Sequence, residues 1–427
     1  MRVLVIGSGA REHALVVRLA ADRDMGELVC APGNPGIARI ARIVPGAPSD
    51  PAALLALADR VQIDLTVVGP ELPLSFGIAD TFAAAGRLLL GPSAAAARLE
   101  SSKAFAKAFM ARHAVPTARF HTAHSLDDAM HVVGSGEFGL PVVLKADGLA
   151  AGKGVVIAES RAAAETAVRG AMAERKFGAA GEKLVIEECL SGPEVSFFVL
   201  SDGERAVPIG WAQDHKRIFD EDRGPNTGGM GAFAPSPLVD ASLVERVMRE
   251  IVDPVVAGMA EEGHPFRGFL FVGLMLTPAG AKVIEFNVRL GDPETQAMLP
   301  LIDEPLLPLL VAGATGRLRQ SAVRIGHDCI VGVVLASRGY PDSAESGRAI
   351  SGIGAAERLP GVAVYHAGTS LRGGQLVTAG GRVLTVAGRG ADFVEAISRA
   401  YAGVDQISFD GMQYRKDIGR KALAHQP

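Results

Sequence analysis

Lys145-Ala146-Asp147-Gly148-Leu149-Ala150-Ala151-Gly152-Lys153-Gly154 sets two lysines among three glycines. Glycine lets a backbone fold closely over phosphate oxygens, and lysine ammonium groups neutralise the charge on them. Val142–Lys145 before the loop and Val155–Ala158 after it read as strands. The segment is therefore a hairpin loop, unlike the strand-to-helix loop of a Walker-type site. Alone, it fits a flexible surface hairpin equally well. A nucleotide clamp would need a metal site and further charge from elsewhere in the chain.

Ala281-Lys282-Val283-Ile284-Glu285-Phe286-Asn287-Val288-Arg289 supplies such a partner. Strand side chains alternate faces, so Glu285, Asn287 and Arg289 share one face and Ile284, Phe286 and Val288 the other. Carboxylate and amide oxygens, together with nucleotide phosphates, are what Mg²⁺ prefers. Arg289 can grip a carboxylate or a transferring phosphoryl group with two parallel hydrogen bonds. The alternative is a solvated sheet face. Leu290-Gly291-Asp292-Pro293-Glu294-Thr295 follows directly and adds two acids in a rigid turn.

Other segments are weaker. Val185–Leu190, with Glu187 and Glu188, ends an apolar strand where subdomains would meet, and its backbone could pair with an adenine edge. Glu194 lies four residues past Leu190, within reach of ribose hydroxyls. Gln213-Asp214-His215-Lys216-Arg217 and Gly224–Ala232 flank a polar stretch. His215 reads as structural at least as readily as catalytic, and it is not assigned as a base. Val3-Leu4-Val5-Ile6-Gly7-Ser8-Gly9-Ala10-Arg11-Glu12 invites a dinucleotide-binding reading, but Glu12 stands where a third glycine is needed and would repel a pyrophosphate. A helix start with free N–H groups can still hold a single phosphate. A tight strand–helix turn is the bland alternative.

These loops need elements to carry them. Strands at Val3–Ile6, Glu27–Ala31, Leu65–Val68 and Leu88–Gly91 alternate with helices at Arg11–Ala21, Pro51–Val61 and Gly77–Ala85, which implies a doubly wound parallel sheet. Its turn clusters, at Gly7–Gly9, Pro32–Gly36 and Gly69–Glu71, all fall at strand ends, as parts of one site would. A helix at Lys103–His113 follows. Later segments read as a helix at Ala162–Ala173, strands at Leu184–Glu188, Val195–Leu200, Ala206–Trp211 and Gly268–Leu276, and a helix near Ala241–Glu261. The last hundred residues, from the strand Cys329–Ala336 to a helix near Asp392–Gly403, read as a small α+β lobe.

The 427 residues are 48% apolar and 21% charged, with net charge −4. That fits a globular chain of several domains and gives no sign of nucleic-acid binding. No apolar run approaches a membrane span of roughly 18–20 residues. Cys30, Cys189 and Cys329 form no CxxC pair, so neither a disulfide framework nor a cysteine zinc site is expected. A cytoplasmic monomer is expected.

The set Gly148–Gly154, Gln213–Arg217, Gly224–Ala232 and Arg289-Leu290-Gly291-Asp292-Pro293-Glu294-Thr295-Gln296 resembles the phosphoribosylamine–glycine ligase family of the ATP-grasp superfamily. The resemblance runs from Val3-Leu4-Val5-Ile6-Gly7 to Tyr414-Arg415-Lys416-Asp417-Ile418-Gly419, essentially the whole chain. It implies an N-terminal substrate-binding domain over 1–102, a two-lobed ATP-grasp domain over 103–325 with a lid at about 120–190, and a C-terminal lobe over 326–427. It implies ATP, Mg²⁺ or Mn²⁺, glycine and 5-phosphoribosylamine as ligands, and a glycyl phosphate intermediate. Lys103, Lys145, Gly152, Lys153 and Gly154 would then neutralise ATP phosphates, with Glu187, Glu188, Leu190 and Glu194 around the nucleoside. Glu285 and Asn287 would hold the metal. Arg289 would bind the glycine carboxylate or acyl phosphate, and Asp214 the glycine ammonium. Gly9, Glu12, Asn34 and Glu71 would hold the phosphoribosyl group.

Two departures stand out. Many ATP-grasp enzymes carry a second metal carboxylate on the strand before the Glu-x-Asn strand, and Gly268–Leu276 contains no acid. Val288 and Leu290 replace an expected cysteine and phenylalanine, which predicts packing changes alone. The competing functions are another ATP-grasp ligase or carboxylase, a nicotinamide-dependent oxidoreductase, and a nucleotide-binding module without turnover.

Overall fold

The computed structural model describes residues 1–149 and 154–424. Val3, Leu4, Val5 and Ile6 are fully buried, as in a strand covered on both faces. They lie in Arg2–Gly7, the middle of five parallel strands ordered Arg42–Ile43, Glu27–Pro32, Arg2–Gly7, Leu65–Val68, Leu89–Leu90. The chain builds outward on one side of Arg2–Gly7, then crosses to the other. The loops after Arg2–Gly7 and Leu65–Val68 consequently face each other at the switch point, where such sheets open a crevice. The doubly wound domain expected of the first hundred residues is present. Its helix Pro51–Arg60 starts as the sequence dictates, with Asp50 Oδ1 accepting from Ala53 N (2.9 Å) and proline in the first turn.

The middle of the chain builds a sheet of eight antiparallel strands. Their order is Gly280–Asn287, Arg267–Thr277, Glu194–Asp202, Ala206–Asp214, Gly231–Ala234, Cys329–Ala336, Arg382–Gly390, Val362–His366. Gly231–Ala234 pairs directly with Cys329–Ala336, so the sheet runs unbroken into the last hundred residues. Those residues also have an apolar core of their own around Val331, Val383, Phe393 and Ala400. The strand carrying Glu285 and Asn287 forms one edge of this sheet. The register shifts at Ile284, the extra residue opposite Gly273 and Leu274, and this bulge frees the backbone there. Val288 and Leu290, the two departures, are buried in separate apolar clusters and do pack.

Four antiparallel strands, in order Phe120–Ala123, Leu184–Glu188, Val142–Ala146, Val155–Ala158, form a third sheet. Helices Leu126–Ser135 and Arg161–Val168 cover it, and Ala129, Val132, Leu144 and Ile186 lie in its core. The helix expected over Ala241–Glu261 runs Ala241–Val247 and Asp253–Glu261, joined by a π turn at Met248–Val252. Pro254 has no amide hydrogen to donate to Glu250, and the wider turn absorbs that gap.

Candidate active site

Lys145 is the next-to-last residue of the strand Val142–Ala146 and is almost fully buried. Its Nζ donates to the carbonyl freed by the Ile284 bulge (3.1 Å) and pairs with Glu187. Lys107 pairs with the other oxygen of Glu187 and donates to Thr117 Oγ1 (2.8 Å). The loop base is fixed as well. Asp147 Oδ1 accepts from Ser102 Oγ (2.9 Å) and Ala104 N (3.1 Å), and Lys103 Nζ donates to Gly148 O (3.0 Å). Gly154 is buried, and its carbonyl accepts from Ala146 N (2.8 Å). Gly152 and Lys153 lie outside the described residues.

Across from this loop base, Glu285, Asn287 and Arg289 are half-buried, while Phe286 and Val288 are buried on the opposite face. Alternation survives because the bulge falls before Glu285. Arg289 donates from Nε to Glu71 Oε2 (3.2 Å), and from Nη2 to Glu100 Oε1 (2.9 Å) and Asn287 Oδ1 (3.1 Å). Glu100 Oε2 accepts from Val288 N (2.8 Å). Glu71 and Glu100 from the N-terminal region thus fix the orientation of the guanidinium, which stays charged.

Glu285 differs from Glu71, Glu100 and Glu187, which are all paired with cations. Among the described residues it makes no hydrogen bond and no ion pair within 4 Å. Burial raises its pKa, yet Lys216, Lys145, Lys103 and Arg289 overcome that and hold it below the ordinary range. Opposite it on the neighbouring strand stands Gly273, where a Cβ would lie 3.3 Å from Glu285 Cγ. An ionised carboxylate with no partner, beside an amide oxygen oriented by Arg289, is a donor set that suits Mg²⁺ or Mn²⁺. No cluster of three or more acid, histidine or cysteine side chains gathers to hold a metal among the described residues. Two protein oxygens leave the remaining positions to phosphates and water.

Asp214 ends the strand Ala206–Asp214. Burial raises its pKa against the pull of Lys216, and Glu194 and Glu285 add to the rise. Lys216 Nζ pairs with Glu194 Oε2 (2.7 Å). Glu294 is buried and accepts from Ser196 Oγ (3.2 Å), and burial together with Asp214 pushes its pKa up to about 7. Asp214 and Glu294 thus act electrostatically on each other, and Lys216 acts on both. His215 is buried, neither ring nitrogen has a partner among the described residues, and burial lowers its pKa to about 4. A ring this enclosed is held neutral.

The segment expected at the adenine edge, Val185–Leu190, is sheet up to Glu188 and free of the sheet beyond it. Leu184–Glu188 lies between two other strands, and Glu188 N donates to Arg119 O (3.1 Å). The side chain of Glu188 pairs with Arg119 (2.9 Å) and Lys282 (3.5 Å). Backbone free of the sheet begins at Cys189 and Leu190, so Glu187 and Glu188 act as counter-ions where backbone contacts were expected.

In the N-terminal loops, the side chains of Asn34 and Glu12 are engaged within the protein. Asn34 was expected to touch substrate. Its Nδ2 donates to Ser8 O and His366 O (both 2.8 Å), and its Oδ1 accepts from Gly36 N (2.9 Å) and Ile37 N (3.0 Å). It latches two loops to the C-terminal strands and has no hydrogen-bonding capacity left. Glu12 was expected at the phosphoribosyl group, beside free N–H groups. It is buried, its Oε2 accepts from Gly9 N (2.6 Å), and its Oε1 pairs with Arg11 (2.5 Å). The amide of Gly9 is therefore not free. Glu12 fills the space that Cβ atoms at Gly7 and Gly69 would occupy, which accounts for those glycines without any pyrophosphate. Gly9 itself lies at the crevice, where a Cβ would sit 3.3 Å from Asp292 Oδ2.

Three family models match in chain order. They are the phosphoribosylglycinamide synthetase N domain at residues 1–100, the ATP-grasp (A) domain at 101–295 and the C domain at 330–421. A phosphoribosylamine–glycine ligase from Xylella fastidiosa is 50% identical, covering 99% of this chain and 98% of that protein. The chain belongs to the phosphoribosylamine–glycine ligase family. A Vibrio cholerae member is 46% identical over 100% of this chain and 99% of that protein. The crystal structure of the Thermotoga maritima member shares 34% identity at a TM-score of 0.84, covering 98% of this chain and all of that one. Biotin carboxylase from Campylobacter jejuni, at 16% identity and TM-score 0.75 over 100% of this chain and 95% of that one, shares the fold alone. The chain is thus an ATP-grasp ligase of three-domain architecture. No helix among the described residues is long and apolar enough to cross a membrane.

Sequence reasoning missed Lys107, Glu100 and the pairing of Glu294 with Asp214. Lys107 had a signal, since it stands four residues after Lys103 on the same helix face. Glu100 had none.

Proposed function

We propose that this ligase uses ATP to join glycine to 5-phosphoribosylamine in purine biosynthesis, with glycyl phosphate as intermediate. The observation that carries this reading is Glu285. It is a carboxylate held ionised by Lys103, Lys145 and Lys216, without a partner among the described residues, near the acids Asp214 and Glu294. A carboxylate is a poor acyl donor until one oxygen becomes a good leaving group. Phosphoryl transfer to it needs mainly positioning and charge neutralisation.

Lys103 and Lys145 neutralise the ATP phosphates. Glu285 Oε and Asn287 Oδ1 would hold Mg²⁺ or Mn²⁺, which when bound neutralises phosphate charge. Asp214 and Glu294 orient glycine by its ammonium, leaving its carboxylate free to attack. Arg289, locked by Glu71 and Glu100, presents fixed positive charge to that carboxylate. The crevice at Gly9, Asp292 and Gly69 receives the phosphoribosyl amine, which displaces phosphate to make the amide. The adenine edge meets Cys189 and Leu190, with Glu194 beside the ribose. The protein acts as a cytoplasmic monomer.

ADP release is expected only when glycine and freshly formed phosphoribosylamine are both present. ADP release driven by bicarbonate in their place would move the chain to carboxylase chemistry.

A further inference from the structure

Lys107 is a buried charge for which the mechanism above has no use. It projects from the helix Lys103–Arg112, is 3% exposed, and shares the carboxylate of Glu187 with Lys145, one ammonium on each oxygen. Its remaining bond goes to Thr117 Oγ1 (2.8 Å), which in turn donates to Val283 O (2.7 Å). The Phe120 ring lies 5.6 Å from its Nζ. Lys107 is thus held in place by three residues, Glu187, Thr117 and Phe120, whereas among the described residues Lys145 has only the bulge carbonyl of Ile284 besides Glu187.

This asymmetry has an electrostatic consequence. Breaking a buried ion pair leaves an uncompensated charge, and that is costly. With Lys145 alone on Glu187, any move of Lys145 toward a phosphate would orphan a buried carboxylate. With Lys107 also present, Glu187 stays paired when Lys145 leaves. Burial lowers Lys107 to about 8 against the pull of Glu187, so its ammonium form predominates at neutral pH.

We infer that Lys107 is a positioning residue for nucleotide binding: it holds Glu187 neutralised so that Lys145 can exchange that carboxylate for an ATP phosphate. This rests on the phosphate role given to Lys145 above. The ligand class is a nucleoside polyphosphate, and the effect acts through its phosphates, not its base.

The test is calorimetric titration of the full chain with ATP and, separately, with adenosine. Lys107→Met should weaken ATP roughly tenfold or more and leave adenosine unchanged. Adding Glu187→Gln should restore ATP binding to within about threefold of Glu187→Gln alone, because no buried carboxylate then retains Lys145. That comparison of Glu187→Gln with the double variant stands even if Lys107→Met alone does not fold. Unchanged ATP affinity in Lys107→Met overturns the inference. So does parallel loss of ATP and adenosine, or a double variant as weak as Lys107→Met, since either marks a general structural role. Lys145→Met separates the two readings. If it binds ATP like the wild type, the phosphate role of Lys145 falls and the inference with it. If it binds ATP weakly while Lys107→Met does not, only the inference falls.

Discussion

Glu12 and Glu285 are both glutamates that fill space cleared by a glycine, Gly7 and Gly69 for the first and Gly273 for the second. Their surroundings differ. Both oxygens of Glu12 are engaged, by Arg11 and by Gly9 N, and the side chain is 2% exposed. Glu285 has four cations around it and no direct partner among the described residues. Asn34, at the N-terminal loops, likewise uses all its capacity on backbone. A buried polar group whose bonds are complete stabilises a fold, since removing it strands its partners. A charged group held ionised by cations it does not touch keeps its lone pairs available to a ligand. The N-terminal crevice is therefore built by saturated polar groups, and the strand Gly280–Asn287 carries unsaturated ones.

The sharpest way to break this contrast is to exchange the expected effects. Glu12→Ala strands Arg11 in a buried site, so it should lower unfolding free energy by about 3–5 kcal/mol, read by urea denaturation. A loss below about 1 kcal/mol would place Glu12 with the exposed pairs and remove the distinction. Glu285→Gln should do the opposite. Activity should fall by roughly 10²–10³-fold, the usual effect of losing one charge-stabilising group, while the melting temperature stays within about 2 °C. A variant that unfolds early, or one that keeps its activity, would return Glu285 to the structural class. Asp214→Asn is expected to raise the KM for glycine about tenfold, with the KM for ATP little changed. Equal changes in both constants would detach Asp214 from glycine.

The same contrast governs what could be read beforehand. Arg2–Gly7 and Leu65–Val68 were legible because buried parallel strands are continuous apolar runs. Glu285, Asn287 and Arg289 were legible because a two-residue period sets them on one face. The bulge at Ile284 falls just upstream and does not disturb it. Saturation was not legible. Asn34 is bonded to His366, 332 residues away, and Arg289 to Glu100, 189 residues away. No local pattern encodes such partners, so a residue type suited to binding could not be told from one already bound. Lys107 shows the same limit, because its spacing from Lys103 was visible but its carboxylate was not.

The smallest effect probes Asp214 and Glu294 by pH. Burial and then Asp214 push Glu294 up to about 7, while Arg289 and Lys216 pull the other way and Ser196 donates to its Oε1. Its proton therefore leaves as pH rises through about 7, and the pair gains a negative charge for the glycine ammonium. The KM for glycine should fall severalfold between about pH 6 and pH 8, with no matching trend for ATP. Glu294→Gln cannot titrate and should flatten the glycine profile at a uniformly higher KM. An unchanged pH trend in that variant would assign the titration to another group and leave Asp214 as the ammonium partner without Glu294. A flattened profile with normal stability would add Glu294 to the unsaturated side of the contrast, because among the described residues Ser196 is the one side chain that donates to it, at Oε1.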